Sequence, residues 1–294
     1  MNKGTWYAIG AFSCWGLIPL YWKLLHSVSA PQLIGHRIIW SFFTLILILL
    51  FLRQIKTFGN SAFSWKVIRI YSVAAILLGV NWLVYIWAVN AGHIVETSLG
   101  YFINPLLSVI LGVVFFREKL RPWQLIPVFI AGAGVLFITV AFGVLPWIAL
   151  ILASTFALYG AIKKIAPLNS LNGLTIETSI LLVPAIFYLV FSENAGTGAF
   201  LHSNLLINTL ILGSGLITTI PLLMFASAAK QIPLSIIGIL QYIAPTIQFL
   251  IGIIIYHEAF SFKQFIGYGL VWIALILFGV ESIIAFKAKS ATVI

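Results

Sequence analysis

Two five-residue stretches carry the most distinctive chemistry of the chain. Tyr101-Phe102-Ile103-Asn104-Pro105 and Gln241-Tyr242-Ile243-Ala244-Pro245 each set a proline inside a long apolar run, with polar side chains just before it. A proline within a helix lacks the N–H that would bond four residues back, and its ring crowds that carbonyl. The carbonyls concerned belong to Tyr101 and Gln241. Helix breaks at Pro105 and Pro245, beside Tyr101, Asn104, Gln241 and Tyr242, are the kind of place where freed carbonyls and hydrogen-bonding side chains receive a polar solute inside a membrane. A pair of ordinary kinks satisfied by neighbouring helices is the alternative.

Ionisable groups within the apolar runs are few. Each costs roughly 2.5 to 3.5 kcal/mol at a membrane-helix centre, so each asks for a reason. Arg37 has two readings that stay open: a guanidinium facing the bundle interior, able to hold a carboxylate or phosphate bidentately, or a long side chain reaching for the interface. His36 and Glu177 occupy matched places near opposite ends of two different runs, too far apart to pair directly, and are the proton-coupling candidates, since both titrate near physiological conditions when perturbed. Trp15, Asn81 and Tyr85 add aromatic and amide surface suited to organic solutes. The expected substrate-binding set is therefore Arg37, Trp15, Asn81, Tyr85, Tyr101, Asn104, Gln241 and Tyr242. Glu96 and His93 read as the start of a helix, Glu281 as the charged end of one, and Cys14 as a small apolar residue.

These residues sit in a chain of 294 residues that is 62% hydrophobic and only 7% charged. A soluble domain runs near 25% charged, so the composition is that of a polytopic helical membrane protein. There is no Asp, no Gly-Lys dipeptide and no His-Glu-x-x-His motif. A P-loop, an aspartate pair and a zincin site are thereby excluded, and neither cofactor nor metal is expected. The net charge of +10 reads as loop lysines and arginines that set orientation, so no nucleic-acid partner is implied.

Apolar runs between polar breaks give ten spans near 5–24, 32–52, 70–90, 95–116, 122–142, 145–162, 171–191, 206–228, 234–255 and 264–284. With an even number, both termini share one side. Lys3, Arg53, Lys56, Lys66, Arg69, Arg117, Lys119, Arg121, Lys163, Lys164, Lys230, Lys287 and Lys289 fall on that side, against Lys23 and Lys263 opposite. The bias places both termini in the cytoplasm.

The chain also repeats itself weakly at a spacing of about 140 residues. Beyond the two proline stretches, Gly112 matches Gly252, Glu118 matches Glu258 and Gln124 matches Gln264, while a shift of one more residue pairs His36 with Glu177. Five spans per half is an odd number, so the second half enters the membrane inverted. The expected organisation is residues 1–142 as a first five-helix repeat and 143–294 as a second, inverted one, an arrangement typical of secondary transporters.

These residues resemble the drug/metabolite transporter superfamily, within it the EamA-type branch and its RarD group, over essentially the whole chain. The resemblance rests on His36-Arg37-x-x-Trp40-Ser41, Asn81-Trp82 with Tyr85 and Trp87-Ala88-Val89-Asn90, and Ser98-Leu99-Gly100 running into the first proline stretch and Leu106. It continues through Tyr159 with Lys163, Glu177-Thr178, Thr218 with Pro221-Leu222, and Gln241 to Thr246, with Glu118 and Glu258 after the fourth and ninth helices. It implies ten helices in two inverted repeats, cytoplasmic termini and a central cavity lined by both halves. Related members are described as exporters or exchangers of amino acids and other small metabolites, and the resemblance implies no particular substrate. His257 before Glu258, where Arg117 precedes Glu118, departs from the repeat.

The resulting expectation is a non-enzymatic secondary transporter of the plasma membrane, the bacterial inner membrane. It would move a small amphipathic metabolite or drug by alternating access, coupled to protons or to exchange, with the bilayer as surroundings and no required protein partner, a monomer sufficing. The rivals are a membrane enzyme acting on a lipid-linked substrate, and a channel.

Overall fold

The computed structural model describes residues 2–62, 64–91, 93–142, 147–257 and 262–291. These form helices and no strand: α1 (Lys3–Leu24), α2 (Ala30–Phe51), α3 (Ile55–Ala62), α4 (Trp65–Asn90), α5 (Ile94–Val114), α6 (Pro122–Phe142), α7 (Trp147–Ile165), α8 (Ser170–Asn194), α9 (Leu205–Gln231), α10 (Leu234–Gln241), α11 (Ile243–Ile254) and α12 (Phe262–Ala291). On length and composition, six stretches can cross a membrane: α2, residues 65–88 of α4, α7, α8, α9 and the α10–α11 pair. Shorter apolar helices span Gly100–Val114, Pro122–Phe137 and Phe265–Glu281. Large apolar side chains face outward, among them Phe51, Phe187 and Leu205, as lipid contact permits. The chain is a multi-pass helical membrane protein.

Asparagines start three of the helices. Asn2, Asn169 and Asn204 accept from the amides of Gly4 (3.3 Å), Asn172 (2.8 Å) and Ile207 (2.8 Å), satisfying donors that a helix start leaves unpaired. Ser29 precedes α2 with Pro31 in its first turn, where the missing N–H is harmless. The short helix α3 is absent from the sequence expectation, because eight residues with two polar flanks do not form an apolar span.

The two prolines behave differently. At Pro245 the chain does break. α10 ends at Gln241, the Tyr242 amide bonds back to Ile239 (3.3 Å), and α11 begins at Ile243. The expected break at Pro105 is corrected: α5 runs unbroken from Ile94 to Val114 with Pro105 inside it. One proline removes one bond and bends a helix without ending it. α10 packs closely at this point, for a Cβ on Gly238 would lie 2.5 Å from the Pro105 carbonyl oxygen.

The helices pack in a recurring set of pairs: α1 on α9 and α11, α2 on α8 and α9, α4 on α7 and α8, α5 on α7 and α10, and α6 on α12. Helix exits recur too. Arg117 and His257 both take a left-handed φ of 51°, after amides of Phe116 and Tyr256 that bond to Leu111 (3.3 Å) and Ile251 (3.2 Å). Glu258, the sequence partner of Glu118, and the side chain of Glu96 lie outside the described residues.

Candidate functional site: a central aromatic cavity

A cavity of about 360 Å³ opens among the helices. Most of the contributing helices bring residues at spacings of three and four, the period that stacks side chains on one face. α1 brings Phe12, Trp15, Pro19 and Trp22; α4 brings Leu78, Asn81, Trp82 and Tyr85; α5 brings Thr97, Gly100, Tyr101 and Asn104. Arg37 from α2, Leu152 and Phe156 from α7, Thr218 and Leu222 from α9, and Gln241, Ala244, Pro245 and Gln248 around the α10–α11 break complete it.

Its floor is aromatic. Trp15 packs 5.5 Å from Phe12 and 5.6 Å from both Phe156 and Phe225, centroid to centroid. Tyr85 and Tyr101 meet edge to face at 6.1 Å. Polar contacts hold the amides in place. Asn81 donates to the Leu152 carbonyl (2.8 Å) and the Thr155 hydroxyl (2.9 Å), and Gln248 donates to the Trp15 carbonyl (3.0 Å). Ser108 lies between Asn104 and Gln241, its hydroxyl 3.4 Å and 3.3 Å from their side-chain oxygens. That hydroxyl ties α5 to the end of α10.

Arg37 is the one charged side chain among the described residues of the lining. Its Nε donates to the Thr218 hydroxyl (3.0 Å), and the guanidinium carbon lies 4.8 Å from the Trp22 ring and 4.7 Å from the Trp82 ring. Such rings attract a cation through their quadrupole. No carboxylate pairs with Arg37 among the described residues. Arg37 lies among the residues that line the cavity.

Arg37, Trp15, Asn81, Tyr85, Tyr101, Asn104, Gln241 and Pro245 are thus brought together with Pro105. Tyr242 is corrected: it is fully buried, its hydroxyl donates to the Phe102 carbonyl (3.2 Å), and it lies outside the lining. One residue along a helix turns the side chain through about 100°, which directs it at α5 instead. His36 and Glu177 lie elsewhere as well. His36 packs 5.4 Å from the Phe200 ring in a separate recess with Gln32, Glu193 and His202. Glu177 is sealed between α7 and α8, bonded to Lys163 Nζ (2.7 Å) and the Tyr159 hydroxyl (3.0 Å).

Outside the cavity, a second carboxylate closes the base of the bundle. Arg117, in its left-handed conformation, turns Glu118 back toward α10. There its oxygens accept from the Leu234 amide (2.8 Å), the Ser235 amide (2.9 Å) and the Ser235 hydroxyl (2.8 Å), with Lys164 Nζ at 3.2 Å. Burial pushes this carboxyl up, but the donors from Ser235 and Leu234, with Lys164, outweigh burial and hold it below the usual carboxylate range.

Sequence reasoning passed over Trp22, Phe12, Phe156 and the position of Thr218 in the site. Trp22 had a usable signal, seven residues after Trp15 and on the same face of α1. Thr218 carried a signal only through the family resemblance; its residue type alone does not set it apart from the other hydroxyls in apolar helices.

Residues 2–140 match the EamA-like transporter family. An "Uncharacterized transporter YojE" of Bacillus subtilis (strain 168) is 45% identical over 94% of this chain and 93% of its own. A "Protein RarD" of Streptomyces exfoliatus is 40% identical over 94% of this chain and 88% of its own. A solved crystal structure superposes with a TM-score of 0.72 at 15% identity, covering 95% of this chain and 98% of that one; this likeness concerns the fold alone.

Proposed function

The chain belongs to the EamA-like transporter family and to its RarD-type members, and from that membership we propose a secondary transporter that moves a small amphipathic organic anion, metabolite or drug, across the bacterial cytoplasmic membrane. The observation that carries the reading is Arg37: a lone cation in the lining of an aromatic-walled cavity, with no carboxylate partner among the described residues. Keeping an unpaired guanidinium at that depth is costly, and a carboxylate or phosphate on the solute supplies the missing charge. Trp15, Tyr85 and Tyr101 take its apolar body, while Asn81, Asn104 and Gln241 meet its polar groups.

Alternating access follows from two inverted halves, residues 1–142 and 143–294, making ten membrane helices with α3 lying outside them and α10–α11 counted as one. The packing pairs support it. Exchanging α1, α2, α4, α5 and α6 with α7, α8, α9, α10–α11 and α12 turns the α1–α9 contact into α4–α7, α2–α9 into α4–α8, and α5–α7 into α1–α11, all of which occur. The matched exits at Arg117 and His257 agree. The excess of Lys and Arg puts both termini in the cytoplasm. A single chain holding both halves works as a monomer in the bilayer. His36 and Glu177 are the groups through which proton coupling would act, exchange being the other form of coupling.

Reconstitution in proteoliposomes tests the function. Uptake of a labelled monocarboxylate should be accelerated by the unlabelled compound inside, and Arg37→Gln should abolish it. Single-channel currents in planar bilayers would make the protein a channel and overturn alternating access.

A further inference from the structure

Thr218 is held beside Arg37 by a close approach of two helices. On α9, Gly215 lies one turn before Thr218; on α2, Arg37 and Ser41 share a face. Ser41 donates to the Gly215 carbonyl (3.3 Å), and any Cβ on Gly215 would collide with the backbone of Trp40. That contact, available only to glycine, brings the Thr218 hydroxyl, itself 1% exposed, within 3.0 Å of Arg37 Nε.

A guanidinium can grip a carboxylate in two ways: side-on through Nε and one Nη, or end-on through both Nη atoms. The bond to Thr218 occupies Nε, which removes the side-on mode, and the rings of Trp22 and Trp82 flank the group. Among the described residues neither Nη group has a hydrogen-bond partner, and both remain for the solute. We propose that Thr218 is a positioning residue for substrate, holding Arg37 so that it takes a planar carboxylate end-on through its Nη atoms. This rests on the proposed binding role of Arg37 and names the residue that orients it. Because Arg37 belongs to α2 and Thr218 to α9, the bond also joins the two halves across the cavity.

The test measures binding of 3-phenylpropionate, and of its uncharged analogue 3-phenylpropionamide, to purified wild type, Thr218→Val, Thr218→Ser and Arg37→Gln. Val keeps the shape of Thr and removes the acceptor, whereas Ser restores it. Thr218→Val should bind the acid about tenfold more weakly, the scale of one lost hydrogen bond to a charged group. Thr218→Ser should stay within about twofold of wild type, and the amide should bind wild type and both Thr218 variants alike. Equal affinity of Thr218→Val and wild type for the acid overturns the inference while leaving the role of Arg37 standing. Equal loss for acid and amide, or no recovery in Thr218→Ser, makes Thr218 a packing residue and also overturns it. Undiminished binding of the acid by Arg37→Gln, or no binding of it by wild type, removes the anion-binding reading beneath it.

Discussion

Lys163 and Glu177 form an ion pair, Nζ to Oε1 at 2.7 Å, with side chains 1% and 0% exposed. Tyr159 completes the carboxylate by donating to Oε2, and the rings of Tyr71 and Tyr159 lie 5.5 Å and 5.6 Å from the ammonium. Taking both charges out of water is expensive, and the attraction offsets it only while both partners are present.

Removing one partner should therefore destabilise strongly. Glu177→Gln leaves a buried ammonium without its anion and should cost about 3–5 kcal/mol, read as a lower melting temperature in detergent. The double variant Lys163→Met with Glu177→Leu should recover most of that loss. If it is stable yet has lost proton-driven uptake, Glu177 carries the coupling; if its uptake still follows a proton gradient, the pair is structural.

Glu118 sets an acid limit on stability. Its carboxyl is held low in the folded chain, so the folded state binds its proton less readily than the unfolded state. The stabilisation is fully present above the ordinary carboxylate value and is lost as pH falls through the lower, folded value. Glu118→Gln should melt at a lower temperature at neutral pH, with a shallower decline on acidification than wild type. Parallel melting curves against pH for the two proteins would contradict this account of the α5–α10 junction.

Gly215→Ala should be poorly tolerated. The added methyl meets the Trp40 backbone, which cannot swing aside as a side chain would, and overpacking of this kind costs roughly 1–3 kcal/mol or more. Gly132, where a Cβ meets nothing within 4 Å, is the matched control: Gly132→Ala should leave the melting temperature unchanged or raise it slightly, since alanine favours a helix. Similar melting temperatures for the two variants would argue against tight α2–α9 contact.

The neighbours Gln241 and Tyr242 should separate in function. Gln241 lines the cavity, while the Tyr242 hydroxyl bonds to Phe102. Tyr242→Phe should lose about 1 kcal/mol of stability for one neutral hydrogen bond and leave ligand affinity alone. Gln241→Leu should weaken ligand binding. Reversed effects would return Tyr242 to the site.

Much of the cavity could be read from the sequence because helical spacing alone puts Asn81 with Tyr85, and Tyr101 with Asn104, on single faces. Arg37 stood out because charge is rare in apolar runs. Tyr242 was misplaced because neighbouring residues on a helix point in different directions, and the Pro105 break was overstated because one proline can sit inside a helix that continues through it. The Lys163–Glu177 pair was invisible as a pair: its members belong to different helices, and Lys163 reads by position as one more cytoplasmic lysine. Thr218 was marked only by the family resemblance, and its contact with Arg37 becomes visible only once Gly215 has drawn α9 against α2.

The most direct measurement is a thermal-shift titration of the detergent-purified protein with small carboxylates, in parallel on wild type and Arg37→Gln. A ligand that binds only the folded state raises the melting temperature by mass action, about 2.7 kcal/mol of stabilisation at a hundredfold excess over its Kd. The account predicts a concentration-dependent rise for wild type that is absent in Arg37→Gln, whose unliganded melting temperature is at least as high because a half-buried cation without a carboxylate partner among the described residues has been removed. Equal rises in both proteins would contradict it, leaving Arg37 without a part in binding.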